Sequence, residues 1–152
     1  MSGGTLRQRV QAYLREHHVM TLATSGDEGP WAAAVFYVHE GNALYFLSAP
    51  TSRHCRNLAK NPRVSATIQE DTSDWKAIKG IQMEGIASRL SGDQEERIRR
   101  LYGAKFPLVA ESADAPGTTP GGRDGMSPGS SGWTTGRSGR LPGSGQNACT
   151  MR

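Results

Sequence analysis

The sequence predicts a mainly β fold of the α+β class, a small antiparallel barrel with peripheral helices, followed by a disordered C-terminal tail. Three observations predict it. Five short runs rich in β-branched and aromatic residues are separated by Gly, Pro, Asn and Asp turn chemistry. Helical signals are confined to three places. From Leu108 onward Gly, Pro, Ser and Thr dominate, and only Leu108, Val109 and Leu141 supply large aliphatic side chains, too little apolar surface to offset the entropy of ordering such a segment. Of the 152 residues, 1–107 are thus expected to form the domain and 108–152 the tail.

The elements follow in order. Thr5 and Gln8 have the spacing of a capping box, and Leu6, Val10, Leu14 and His17 then share one side of a helix over 6–17. Val19 to Thr24 is short and β-rich, "SGDEGP" carries turn residues, and "WAAAVFYVHE" (31–40) reads as the partner strand. After the turn "EGN" comes "ALYFLS" (43–48). Ser52 is placed to cap a helix through "RHCRNLAK", which Asn61-Pro62 stops because the residue before proline disfavours helical backbone. "RVSATIQE" is the fourth strand and "AIKGIQMEGIASRL" (77–90) a fifth, in which Gly80 and Gly85 point to bulges or a close backbone approach. Ser91 and Gln94 repeat the capping-box spacing ahead of a last helix that ends before Pro107.

The formal net charge is +4, but Lys and Arg are scattered among acids, which does not indicate specific nucleic-acid binding. No apolar run approaches a membrane span and the N-terminus lacks an export signal, so a cytoplasmic protein is expected. Cys55 and Cys149 are the only cysteines and His17-His18 lack ligating spacing, which gives neither a disulfide framework nor a metal site.

The stretch "FLSAPTSRHCRNLAKNP" (46–62) carries the chemistry. A helix start offers unpaired N–H groups and a partial positive charge, and here it gathers two hydroxyls, a guanidinium and an imidazole around one point. Two readings stand: a phosphate-sized site built from Ser52, Arg53 and His54, or a capped helix with solvated basic residues. Ala32, Ala33 and Ala34 pose a similar pair. Either they leave a backbone open to a flat ring, with Trp31 or Phe36 as wall, or they make room for a helix crossing the sheet. For acid–base work the candidates are Tyr37, His39 and Gln82, and no catalytic residue is assigned.

Taken together, "VMTLAT", "WAAAVFYVHEGNALYFLS", "TSRHCRNLAKNPRVSATI", "IKGIQMEGIASRL" and "RIRRLYGAKFP" resemble the pyridoxamine 5'-phosphate oxidase-like, FMN-binding split-barrel superfamily, in its small uncharacterised bacterial branch. The resemblance implies a split β-barrel homodimer, FMN between the subunits, a small-molecule substrate and flavin-dependent oxidoreductase chemistry. Non-catalytic binding of a flavin, deazaflavin or haem is the alternative, as is an inactive remnant. It also implies that Ala32, Ala33, Ala34 and Val35 run under the isoalloxazine while Ser48, Ser52, Arg53 and His54 hold the phosphate. This chain departs from the oxidase pattern at His54, where a lysine is usual, and at Ala32 and Tyr37, where an arginine and a lysine are usual. The tail departs further and reads like a gene translated out of frame.

Overall fold

In the computed structural model the described residues are 4–107, 131–136 and 150–151. They form α1 (Leu6–Glu16), β1 (Val19–Gly26), β2 (Gly29–Phe36), β3 (Val38–Glu40), β4 (Ala43–Ser48), α2 (Arg53–Lys60), β5 (Arg63–Gln69), β6 (Gly80–Arg89), α3 (Gly92–Lys105), β7 (Ser131–Gly136) and β8 (Thr150–Met151). The strands make one antiparallel sheet in the order β2-β1-β5-β6-β7-β4-β3, with β8 beside β6.

Local chemistry sets the first helix as expected. Thr5 Oγ1 accepts from the Gln8 N–H at 3.3 Å while Gln8 Oε1 accepts from the Thr5 N–H at 2.8 Å, so two orphan donors of the first turn are satisfied reciprocally. The helix ends one residue earlier than predicted, because His17 is extended at ψ 156° and caps it through its own N–H to the Tyr13 carbonyl.

The predicted single strand over 31–40 is two strands. Val35 and Tyr37 alternate correctly into one core, but Val38 next to Tyr37 is also buried, in a second core, so the chain changes face at Tyr37. The break closes the barrel. β2 and β3 are joined through one residue yet lie at opposite ends of the sheet, which is only possible if the sheet curls until its ends meet. Tyr37 anchors this corner: its N–H donates to the His18 carbonyl at 3.1 Å and its hydroxyl to the Leu14 carbonyl at 2.9 Å. Lys105 Nζ donates to the carbonyls of Tyr37 (3.2 Å) and His17 (2.7 Å).

Inside the barrel, Met20, Leu22, Val35, Phe46, Ala66, Ile68, Ile81 and Met83 pack under Leu14 of α1 and Leu58 of α2. On the far side of β4, Tyr45 and Leu47 pack with Val38 against Ile98, Tyr102 and Phe106 of α3. Strand β4 is therefore buried on both faces, and each large apolar side chain hidden this way stabilises the fold by about 1.5–3 kcal/mol.

Further differences concern the later elements. β6 begins at Gly80 because Trp75–Ala77 form a 3-10 turn whose Asp74 carboxylate accepts from the Lys76 N–H at 2.9 Å. The β5–β6 register is continuous from Arg63↔Ile86 to Gln69↔Gly80, so neither glycine makes a bulge there; a Cβ on Gly80 would instead lie 2.8 Å from the Ile68 carbonyl. Ser91 occupies the N-cap of α3 without a capping hydrogen bond, and Gly92 takes φ +59°, so the predicted capping box does not form. The acids Asp93 and Glu95 in the first turn meet the helix dipole instead.

Within the stretch that composition assigns to the tail, Ser131–Gly136 is a strand seated between β4 and β6. An argument from buried apolar area misses it, because β4 and β6 each offer a row of backbone partners to whatever segment comes between them. The predicted tail positions 108–130, 137–149 and 152 lie outside the described residues.

Candidate cofactor site

The phosphate-like junction forms where β4 hands over to α2. Ser52 is the N-cap of α2, with extended backbone at ψ 150°, and its Oγ accepts from the Cys55 N–H at 3.4 Å. His54, only 3% exposed, turns inward beneath Phe46, and its Nε2 lies 2.8 Å from Ser48 Oγ and 3.2 Å from Ser52 Oγ. The structure brings Ser48, Ser52 and His54 together, with the imidazole turned inward. The buried imidazole lies behind the two hydroxyls.

Arg53 points the other way, across the hairpin that joins β1 to β2. Its guanidinium lies 4.3 Å over the Trp31 ring, Nη2 donates to the Glu28 carbonyl at 3.2 Å, and Nε is 3.7 Å from the Glu28 carboxylate. Nε is buried and makes no hydrogen bond. This contact between Arg53 and Trp31 unites the junction with the strand of the alanines. Sequence reasoning had named both residues without linking them; only the tertiary pairing of hairpin and helix shows the connection.

The hairpin itself is fastened to α2 along its length. Asn57 Nδ2 donates to Thr24 Oγ1 at 3.0 Å in a buried pair, and Lys60 pairs with Asp27 in the turn. A Cβ on Gly26 would stand 2.1 Å from Asn57 Oδ1, so the close approach of helix and hairpin requires glycine there.

Strand β2 is an end strand, paired only with β1 among the described residues. Every second residue of such a strand leaves its N–H and C=O without a ladder partner. Ala32 and Ala34 are exposed on the outer face, whereas Ala33 lies across from Leu22 and Val35 from Met20, toward the barrel. Among the described residues no helix covers the outer alanines, which removes the packing explanation for those two. The four predicted ring-strand residues are therefore not equivalent: two offer an open surface and two belong to the core side.

The acid–base candidates do not gather here. Tyr37 is fully buried, and burial holds its hydroxyl protonated well above the usual phenol range. His39 sits on β3 with Nδ1 3.3 Å from the Gly41 carbonyl, and burial lowers its pKa. Gln82 shares the outer face with Ala34, but Thr21 and Thr67 stand between them in the register, a span of roughly 14 Å at the usual strand spacing. An open cleft of about 640 Å³ lies on that face, lined by Ser25, Pro30, Asn61, Arg63, Ser65 and Glu84 among others, and includes none of the predicted site residues. Among the described residues no group of three His, Cys, Asp or Glu is arranged to hold a metal, and Cys55 is a buried thiol.

A family model described as pyridoxamine 5'-phosphate oxidase matches residues 6–120. The chain belongs to the pyridoxamine 5'-phosphate oxidase family. A UPF0306 protein of Yersinia pseudotuberculosis is 37% identical over 109 residues, covering 70% of this chain and 74% of that protein. Solved structures share the fold, two of them as follows. HutZ, described as the heme storage protein from Vibrio cholerae, superposes with a TM-score of 0.66 at 20% identity over 96% of each chain. A putative pyridoxamine 5'-phosphate oxidase from Listeria innocua gives 0.63 at 19% identity over 86% of this chain and 92% of its own.

The family implies a flavin, and the junction can be tested for fit to its phosphate. A buried guanidinium nitrogen without a hydrogen bond, a capping hydroxyl and a helix start with no acid in its first turn gather donors and positive charge, with the Glu28 carboxylate 3.7 Å away in an ion pair. The residues present fit that group.

Proposed function

We propose that this chain binds FMN, works as a homodimer and is a flavin-dependent oxidoreductase of this family. Ser52 and Arg53 receive the phosphate, His54 orients the Ser48 and Ser52 hydroxyls, and the ring lies along the outer side of β2 at Ala32 and Ala34. The observation that carries this reading is the buried Nε of Arg53, left without an acceptor at a helix start and held over Trp31. Val19 and Phe36, cross-strand partners on the outer face beside Ala34, remain 44% and 45% exposed, apolar surface that a second copy would cover.

When bound, the flavin supplies the redox chemistry, accepting and returning electrons; the protein supplies position and electrostatics. Tyr37, His39 and Gln82 bring no acid or base to the outer alanines.

The experiment is titration of the purified protein with FMN, followed by flavin fluorescence. Arg53→Ala is expected to weaken binding by about 1.5–3 kcal/mol, the scale of a lost charged hydrogen bond. Equal affinity in mutant and parent would remove Arg53 from the site. A second reading, a non-catalytic haem or deazaflavin holder, draws on the likeness to HutZ and on the lost positive charge at Ala32, Tyr37 and His54. A Soret band on reconstitution with haemin, with no response to FMN, would favour it.

A further inference from the structure

Arg53 is the first residue of α2, where the helix dipole is positive, and the first turn carries no acid. A cation is badly placed there for helix stability. Its compensation comes from outside the helix. The two-residue turn Asp27–Glu28 lies along α2 so that Asp27 pairs with Lys60 at one end and Glu28 faces Arg53 at the other. The two contacts differ in kind. Lys60 at the C-terminal end suits the dipole and is hydrogen-bonded to Asp27. The Glu28 carboxylate stands 3.7 Å from Arg53 Nε, too far for a hydrogen bond, and that nitrogen stays unsatisfied.

From this we infer that Glu28 is a resident counter-anion at Arg53 that a ligand phosphate displaces, so that Glu28 sets the affinity and the charge selectivity of the site. The inference rests on the phosphate reading proposed above. Glu28 can leave because its side chain is 73% exposed. Arg53 can stay because Trp31 supports the face of the guanidinium and the Glu28 carbonyl, a backbone group, holds Nη2. A phosphate arriving at Nε meets a like charge that must swing into solvent, whereas a ligand without a phosphate gains nothing from its departure.

The test compares FMN with riboflavin, which lacks the phosphate, on the parent, Glu28→Gln, Arg53→Ala and the double variant. Glu28→Gln keeps the backbone carbonyl and the side-chain shape. It is expected to tighten FMN roughly two- to fivefold, the scale of an exposed ion pair, to leave riboflavin unchanged, and to lose its effect when Arg53 is already Ala. Unchanged or weaker FMN binding in Glu28→Gln, with Arg53→Ala still impairing it, would overturn the role of Glu28 and leave the phosphate reading standing. An equal gain for riboflavin would also overturn it. Should the parent fail to prefer FMN over riboflavin, or Arg53→Ala bind FMN as well as the parent does, the phosphate reading itself falls and the role of Glu28 with it.

Discussion

Ala33 and Ala34 are neighbours carrying one methyl group each, yet the pleat of β2 turns the first toward Leu22 and the second outward. Leucine at the two positions should therefore have opposite effects. Ala34→Leu is expected to leave the urea midpoint near that of the parent while abolishing flavin binding, because the new side chain occupies the place proposed for the ring on an open surface. Ala33→Leu is expected to cost about 1–3 kcal/mol by overfilling the barrel side. A stable Ala34→Leu protein with undiminished flavin binding would contradict the assignment of the outer face. At this scale the sequence places residues on their elements better than it shows their directions. Ser52 and Arg53 were legible because a capping serine has a fixed place at a helix start. The inward turn of His54 was not, since it depends on Ser48 arriving from a neighbouring strand.

The elements were legible wherever a local rule governs them. Capping chemistry and Asn61-Pro62 fix α1 and α2 closely, and turn residues bracket β4 and β5. What escaped is the division of 31–40 into β2 and β3, because the stretch is β-rich throughout and its break is signalled only by two adjacent buried residues, Tyr37 and Val38. That break frees the Tyr37 carbonyl from any ladder, and Lys105 of α3 supplies its donor together with one for His17. Burial lowers the pKa of this lysine, which also lies 4.4 Å from the Tyr37 ring centroid. Lys105→Met keeps most of the aliphatic length and removes both bonds. It should destabilise the protein by about 1–3 kcal/mol in urea unfolding, with loss at the α3–β3 corner visible as faster amide exchange. An unchanged midpoint would mean that water replaces the ammonium without loss.

For the whole molecule, the sheet is one band whose ends meet at Tyr37 and whose middle contains β7. Removing 108–152 should expose β4 from Leu44 to Ser48 and β6 from Ile86 to Arg89, lowering the unfolding midpoint and promoting association through the bared edges. A truncated chain with the parent's midpoint, monodisperse on gel filtration, would show that β7 contributes nothing to the domain and would favour the boundary at 107 that composition suggests. The placement of β7 also bears on how the molecule is made. The β1–β2 hairpin closes over a two-residue turn, whereas the seam between β4 and β6 is filled by Ser131–Gly136, distant in sequence from both strands. Loop-closure entropy rises with separation, and pairings between distant segments are slow to form. On the ribosome the four strands β2-β1-β5-β6 can therefore assemble before β7 has emerged, leaving a half-built sheet with two open edges whose lifetime is set by the arrival of Ser131–Gly136.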